Sequence, residues 1–200
     1  MMQTLTLTED EKDVLQELMN IAYGKATAVV ADMLEAFASL SIPNIKIMTT
    51  EELLKTFEVL KNSSYFFSSQ AFSGDFNGES AFFINEESAN NLAKHLELES
   101  RDDLDDAILE LTNVLTSSLT TKLAQQMGTD VSFSLPNILK VPLEEIEDVT
   151  SFQLYSQVIV IDTDLNFKDQ KINGKIFILT KDESISWLKT KLNTILEELL

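Results

Sequence analysis

Apolar side chains recur at helical intervals from about residue 8 to residue 39, at Val14, Leu18, Ile21, Ala22, Val29 and Met33. That period predicts one long helix, and Thr8 with Glu11 three positions later marks its start as a capping box. After Pro43 the pattern changes to alternation, with Ile45 and Ile47 on one face of a predicted strand. The strings YFFSSQAF and ESAFFI on either side of Asn77-Gly78 predict a hairpin with its turn at those two residues. Residues 86 to 98 then return to helical spacing, and from residue 101 onward the same order begins again. The acidic string LELESRDDLDD joins the two halves. It lacks the Gly, Ser and Pro richness of a free linker.

The second half restates the first in its polar residues as well. Asp13, Glu17, Asn20 and Pro43 recur as Asp106, Glu110, Asn113 and Pro136, each displaced by 93 residues, with 22 residues between Asn and Pro both times. The strings DVLQELMNI and DAILELTNV also agree in their apolar positions. NGESAFFINEESANNL (77–92) aligns with NGKIFILTKDESISWL (173–188) at a displacement of 96, which places a small insertion in a hairpin of the second half. Internal repeats of this kind dictate architecture. The expectation is a single α+β domain over residues 1–200, built from repeat 1 at about 8–98 and repeat 2 at about 101–200. It is expected to be pseudo-two-fold, with one mainly antiparallel sheet and the long helices packed against it, because that arrangement buries the apolar faces of both halves.

At about 100° per residue, Asp13, Glu17, Asn20, Gly24 and Thr27 fall within a narrow arc of the first long helix. Asp106, Glu110, Asn113, Ser117 and Thr120 form the same stripe on the second, and both stripes are expected to face outward. The opposite face, with Leu15, Ala22 and Val29 and their counterparts Ile108 and Leu115, is expected to meet the sheet. Asn is a poor residue for a helix interior, and a mid-helix Gly costs about 1 kcal/mol relative to Ala. Close approach of a partner surface explains such a glycine, and so does close packing of a second helix.

Two hundred residues with 44% apolar content suit one globular unit. The formal charge of −18 disfavours nucleic acid and anionic membrane surfaces as partners. No cysteine is present and the one histidine is His95, so zinc-finger, thiol and Ser-His-Asp chemistry lack their parts, the last unless His95 serves alone. The five glycines form no phosphate-binding loop, and no apolar run reaches the roughly 18 to 20 residues needed to span a bilayer. The start MMQTLTLTEDEKD has neither a basic nor an apolar export region, so a cytoplasmic location is expected. Nothing has metal-ligand spacing, so no metal or other cofactor of the chain's own is expected. His95 is expected to be a partly exposed surface residue, and Trp187 to belong to the core or to a helix-packing surface.

Asp or Ser, three residues, Glu, two residues, Asn, 22 residues, Pro: this spacing, present twice, resembles the signature of the CheC-type chemotaxis phosphatases (CheC, CheX, FliY). With two copies the chain is most similar to CheC in organisation. The resemblance implies hydrolysis of the phosphoaspartate of a CheY-like response regulator, with Glu17, Asn20, Glu110 and Asn113 as the residues of two active sites. It assigns each Glu to docking the receiver through the receiver's lysine. Phosphoryl transfer from a receiver that already holds Mg²⁺ and a lysine lacks only an in-line water. A side-chain amide can hold that water, since it both accepts and donates hydrogen bonds. Where many family members read N-I-x-x-G-N-A, the first copy reads NIAYGKA, with Lys25 in place of Asn, and the second reads NVLTSSL. The implied partner is a phosphorylated CheY-like receiver. A non-catalytic adaptor that binds a receiver or a CheD-like deamidase is the competing expectation.

Overall fold

A computed structural model describes residues 6–58, 65–139, 157–180 and 182–198. The described elements run α1 (Glu9–Met33), β1 (Ser39–Leu40), β2 (Asn44–Thr49), α2 (Thr50–Glu58), β3 (Tyr65–Gly74), β4 (Gly78–Asn85) and α3 (Glu86–His95). They continue as α4 (Arg101–Gln126), β5 (Val131–Phe133), β6 (Asn137–Leu139), β7 (Gln157–Phe167), β8 (Ile172–Thr180) and α5 (Asp182–Glu198). The eight strands form one antiparallel sheet in the order β1-β7-β8-β4-β3-β5, with β2 also on β7 and β6 also on β3. The fold is therefore α+β, with a single sheet across both halves of the chain. No described helix is long and apolar enough to cross a membrane.

Strand pairing follows the two sequence displacements. Ser39 pairs with Asn166 and Ile45 with Ile161; their counterparts 93 residues away, Ser132 with Ser73 and Ile138 with Ser68, pair in the same way. At the centre of the sheet Gly78 pairs with Thr180 and Ile84 with Gly174, pairs that a displacement of 96 exchanges. The difference between the two displacements lies in the β7–β8 hairpin. Phe72 opposes Gly78 in the first hairpin, whereas its counterpart Leu165 opposes Gly174 across a longer connection.

The helices start and stop at corresponding places for identifiable reasons. Thr8 and Glu11 form the expected capping box of α1, and Ser100 with Asp103 forms another on α4. Acidic residues fill both first turns, Glu9 to Glu11 and Asp102 with Asp103, where the helix dipole favours negative charge. The start of α4 thus takes up the DDLDD part of the acidic string. α1 ends at Met33 rather than near residue 39. Glu35 adopts a left-handed φ of 46°, and the Ala36 N–H reaches back to the Ala31 carbonyl at 3.0 Å. α4 ends in the same geometry 93 residues later, with Gly128 at φ 72° and the Thr129 N–H on the Ala124 carbonyl. This stop is legible in the second copy, where glycine supplies it, and hidden in the first, where glutamate does. His95 is partly exposed, and its Nε2 lies 2.7 Å from the carbonyl of Leu34, the C-cap of α1.

Residues on alternate faces of the strands define two apolar layers. Phe66, Phe72, Phe82, Ile84, Ile159, Ile161, Ile176 and Ile178 face the helices α1, α3, α4 and α5, where they meet Leu15, Met19, Ile108, Leu111, Leu92 and Leu188. Phe67, Ala81, Phe83, Val160, Phe177 and Leu179 face the other way and pack with Leu53 of α2. Helix α2, unforeseen in the sequence, therefore covers the second face. Burial on both faces is why the central strands read as unbroken apolar runs such as AFFI and IFIL. The first hairpin turns at residues 75–77, not at Asn77-Gly78. Gly78 belongs to β4, paired with Phe72 and Thr180, and glycine is needed there because a Cβ would stand 2.1 Å from the Leu179 carbonyl oxygen and 2.6 Å from the Phe72 ring. Phe76 in that turn is fully buried beside the half-buried Trp187, with ring centroids 6.2 Å apart.

Candidate functional site

α1 and α4 lie side by side in opposite directions. Lys25 and Ile21 of α1 face Ser117, Ser118 and Lys122 of α4 across the groove between the helices. Leu15, Ala22, Ile108 and Leu115 point into the core, while Val29 is half-buried. Asp13, Glu17 and Asn20 on α1 are exposed, as are Asp106 and Glu110 on α4.

The stripes are less uniform than the helical wheel suggests. Asn113, Ser117 and Thr27 are half-buried, and Thr120 is fully buried, its hydroxyl donating to the Thr116 carbonyl at 2.6 Å. The outward stripe expected to run through Thr120 thus stops short of it. On the wheel, Thr27 and Thr120 lie about 80° from the glutamates, toward the flank where each helix meets the sheet. The glutamates mark the solvent side of the stripe, and the threonines mark its inner edge.

Around Asn20 the surface forms a groove of about 350 Å³, with Asn20, Tyr23, Gly24 and Thr27 on one wall and residues 38–42 on the other. The Asn20 side chain makes no hydrogen bond to any described residue, so its carbonyl and amino groups are both available. A Cβ on Gly24 would meet nothing within 4 Å. Among the described residues no second helix packs on that glycine, which is exposed and forms an open patch one turn beyond Asn20. Tyr23 is buried, and burial first, then the Asp162 charge, pushes its phenol above the ordinary range and keeps it neutral.

Asn113 sits differently. Gln70 of β3 donates from Nε2 to Asn113 Oδ1 at 2.9 Å and to the Ser134 carbonyl at 2.8 Å, which fixes the asparagine and occupies one of its acceptor positions. Gln70 has no counterpart in the motif and was not identified from the sequence, where a glutamine within a strand carries no signal. Lys25, which departs from the family pattern, lines a second groove of about 630 Å³ between α1 and α4, together with Ile21 and Lys122. Among the described residues no three His, Asp or Glu side chains converge as metal ligands.

The model of the chemotaxis phosphatase CheX family matches residues 66–160, which include Glu110, Asn113 and Pro136. Several solved structures share the fold. FliY from Thermotoga maritima superposes with a TM-score of 0.71 at 15% identity, covering 95% of this chain and 99% of that one. The FliM middle domain from H. pylori gives 0.62 at 12% identity, covering 92% and 99%. CheX from Desulfovibrio desulfuricans gives 0.55 at 13% identity, covering 82% and 99%. Among curated protein sequences none matches the chain.

Proposed function

Because the chain belongs to the CheC/CheX/FliY family of chemotaxis proteins, we propose that it hydrolyses the phosphoaspartate of a CheY-like response regulator in the cytoplasm. Asn20 and Asn113 orient the attacking water, and Glu17 and Glu110 dock the receiver through its lysine. The observation that carries this reading is the exposed, unbonded Asn20 at the rim of its groove, one turn from Glu17 and beside the bare Gly24. A receiver brings its own Mg²⁺ and lysine to neutralise the phosphoryl oxygens, so positioning of water is the contribution left to this chain. The amide needs no perturbed acidity for that task.

The test is direct. CheY-like receivers phosphorylated with acetyl phosphate are mixed with the protein and Mg²⁺, and loss of phosphoaspartate is followed over time. Accelerated loss with at least one receiver is expected, and it should stop when the metal is chelated. Unchanged decay for every receiver would reject the reading.

The same fold in a FliM middle domain and in a FliG–FliM complex favours a second reading, in which the chain is an adaptor that binds a receiver or a CheD-like deamidase without turnover. Gly24→Ala separates structural from docking roles for α1. The substitution should raise stability by up to about 1 kcal/mol, since a Cβ there meets open space and Ala is the better helix former. It should at the same time weaken receiver binding, because the added methyl stands on the docking surface. Denaturant unfolding and receiver titration check the two signs.

A further inference from the structure

Among the described residues four large apolar side chains are exposed: Ile21 at 45%, Phe37 at 76%, Ile42 at 74% and Leu135 at 90%. Ile42 and Leu135 stand 93 residues apart, each immediately before the proline of its motif. Their backbone is anchored in the same way. The Ser41 Oγ accepts from the Asp164 N–H at 2.9 Å, and the Ser41 carbonyl accepts from the Thr163 hydroxyl at 2.8 Å. The Ser134 Oγ accepts from the Ala71 N–H at 3.2 Å, and the Ser134 carbonyl accepts from Gln70 Nε2 at 2.8 Å. Asp164 and Thr163 correspond to Ala71 and Gln70 at the same displacement. On the other side, Pro43 or Pro136 confines the aliphatic residue to extended backbone. Each loop therefore holds an apolar side chain free of its own protein on a fixed main chain.

Both loops are tied to the motif asparagines. Ile42 and Asn20 line one groove. On the other helix, Gln70 bridges Asn113 to Ser134, the residue before Leu135. An isolated exposed aliphatic is ordinary, but two at equivalent anchored positions next to two equivalent asparagines are not explained by the fold, which buries neither. Their rigid backbone lowers the ordering cost of a contact made there.

We propose that Ile42 and Leu135 are the apolar anchors that seat the receiver, each filling an apolar recess beside the receiver's phosphoaspartate while the neighbouring Glu pairs with the receiver's lysine and the Asn orients water at the acyl phosphate. This rests on the phosphatase reading and adds to it the determinant of affinity. Glu and Asn act on features that any phosphorylated receiver offers. The aliphatic pair reads the surrounding surface and so sets which receiver is accepted.

The test compares the parent with Ile42→Ser/Leu135→Ser, with Phe37→Ser as a control for a general loss of exposed apolar surface, and with Ile42→Leu/Leu135→Ile as a conservative rescue. Substrate is the receiver phosphorylated with acetyl phosphate, and binding is measured with the beryllofluoride-activated receiver. The double Ser variant should keep the parent's unfolding midpoint and its turnover at saturation, with KM and Kd raised tenfold or more. Phe37→Ser should match the parent, and the Leu/Ile exchange should restore KM to within about threefold. Turnover by the parent with an unchanged KM in the double Ser variant would overturn the anchor proposal and leave the phosphatase reading standing. An equal rise in KM for Phe37→Ser would overturn it as well. If the parent neither turned over nor bound any receiver, the phosphatase reading and the anchors would fall together.

Discussion

Replacing Asn20 and Asn113 together by Ala is expected to remove receiver dephosphorylation, a loss of about 10² or more in rate, while folding and receiver binding persist. The magnitude is that of losing a group that positions a reactant or stabilises charge in the transition state. Binding should survive because Glu17 and Glu110 remain exposed on their helices. The two single replacements are expected to differ. Asn20 is unencumbered, whereas the Asn113 carbonyl oxygen already accepts a hydrogen bond from Gln70, so Asn20→Ala should take the larger share of the activity. Folding should tolerate both, Asn20→Ala especially, since Ala is favoured at an exposed helix position. Single-turnover decay of the phosphorylated receiver measures the rates, and titration with the beryllofluoride-activated receiver measures binding. A double variant as fast as the parent would leave the adaptor reading in place of the phosphatase.

Lys189→Met is expected to be the most destabilising single change at the junction of α1 and α5. Glu11 is nearly fully buried at the start of α1. Its carboxylate accepts from the Thr8 N–H at 2.8 Å, from Lys189 Nζ at 2.9 Å and from Asn193 Nδ2 at 2.9 Å. Lys189 also donates to the Thr6 carbonyl. Burial pushes the Glu11 carboxyl up, but these donors together hold it below its ordinary value. Removing the cation leaves the Glu11 carboxylate with its Thr8 and Asn193 donors but no counter-charge, a loss of about 1–3 kcal/mol, less than for a fully buried pair because Lys189 is partly exposed. Because the folded-state pKa lies below the unfolded one, the contribution of Glu11 is present above the ordinary value of 4.5 and is lost as the pH falls through the depressed folded value. The difference between parent and Lys189→Met should therefore be full near neutral pH and shrink under acid, as Glu11 becomes protonated in both. Denaturant unfolding at a series of pH values measures it. Adding Glu11→Gln to Lys189→Met should recover part of the loss at neutral pH, because the orphaned charge is then gone.

Glu11 also shows where sequence reading reaches its limit. Its capping role is local, three residues from Thr8, and was read directly from the Thr-x-x-Glu pattern. Its partnership with Lys189 spans 178 positions, and no spacing rule connects residues that far apart. The same division runs through the candidate site. Glu17, Asn20, Glu110 and Asn113 were found by one fixed spacing occurring twice, and helical geometry alone placed each pair on one stripe. That Gln70 restrains Asn113, and that no described residue restrains Asn20, depends on which strand the sheet sets beneath each helix.

Helix periodicity, the capping box of α1, the antiparallel single-sheet expectation and the place of the hairpin insertion were all legible, because each follows from short-range pattern or from comparing one half of the chain with the other. The end of α1 at Met33 was hidden, since the left-handed residue there is Glu35 rather than a glycine, and apolar residues continue past it. Helix α2 was missed because its role, covering the second face of the sheet through Leu53, exists only once the sheet has assembled. The helical wheel put Thr120 outside, and packing put it inside. The wheel fixes angles about a helix axis but not how deeply that axis settles into the sheet, which the volumes of side chains contributed by distant strands determine. Exposure of Ile42 and Leu135 belongs to the same class. Composition would place an Ile and a Leu in a core, and hydrogen bonds to strand residues more than sixty positions away hold their loops where no core forms around them.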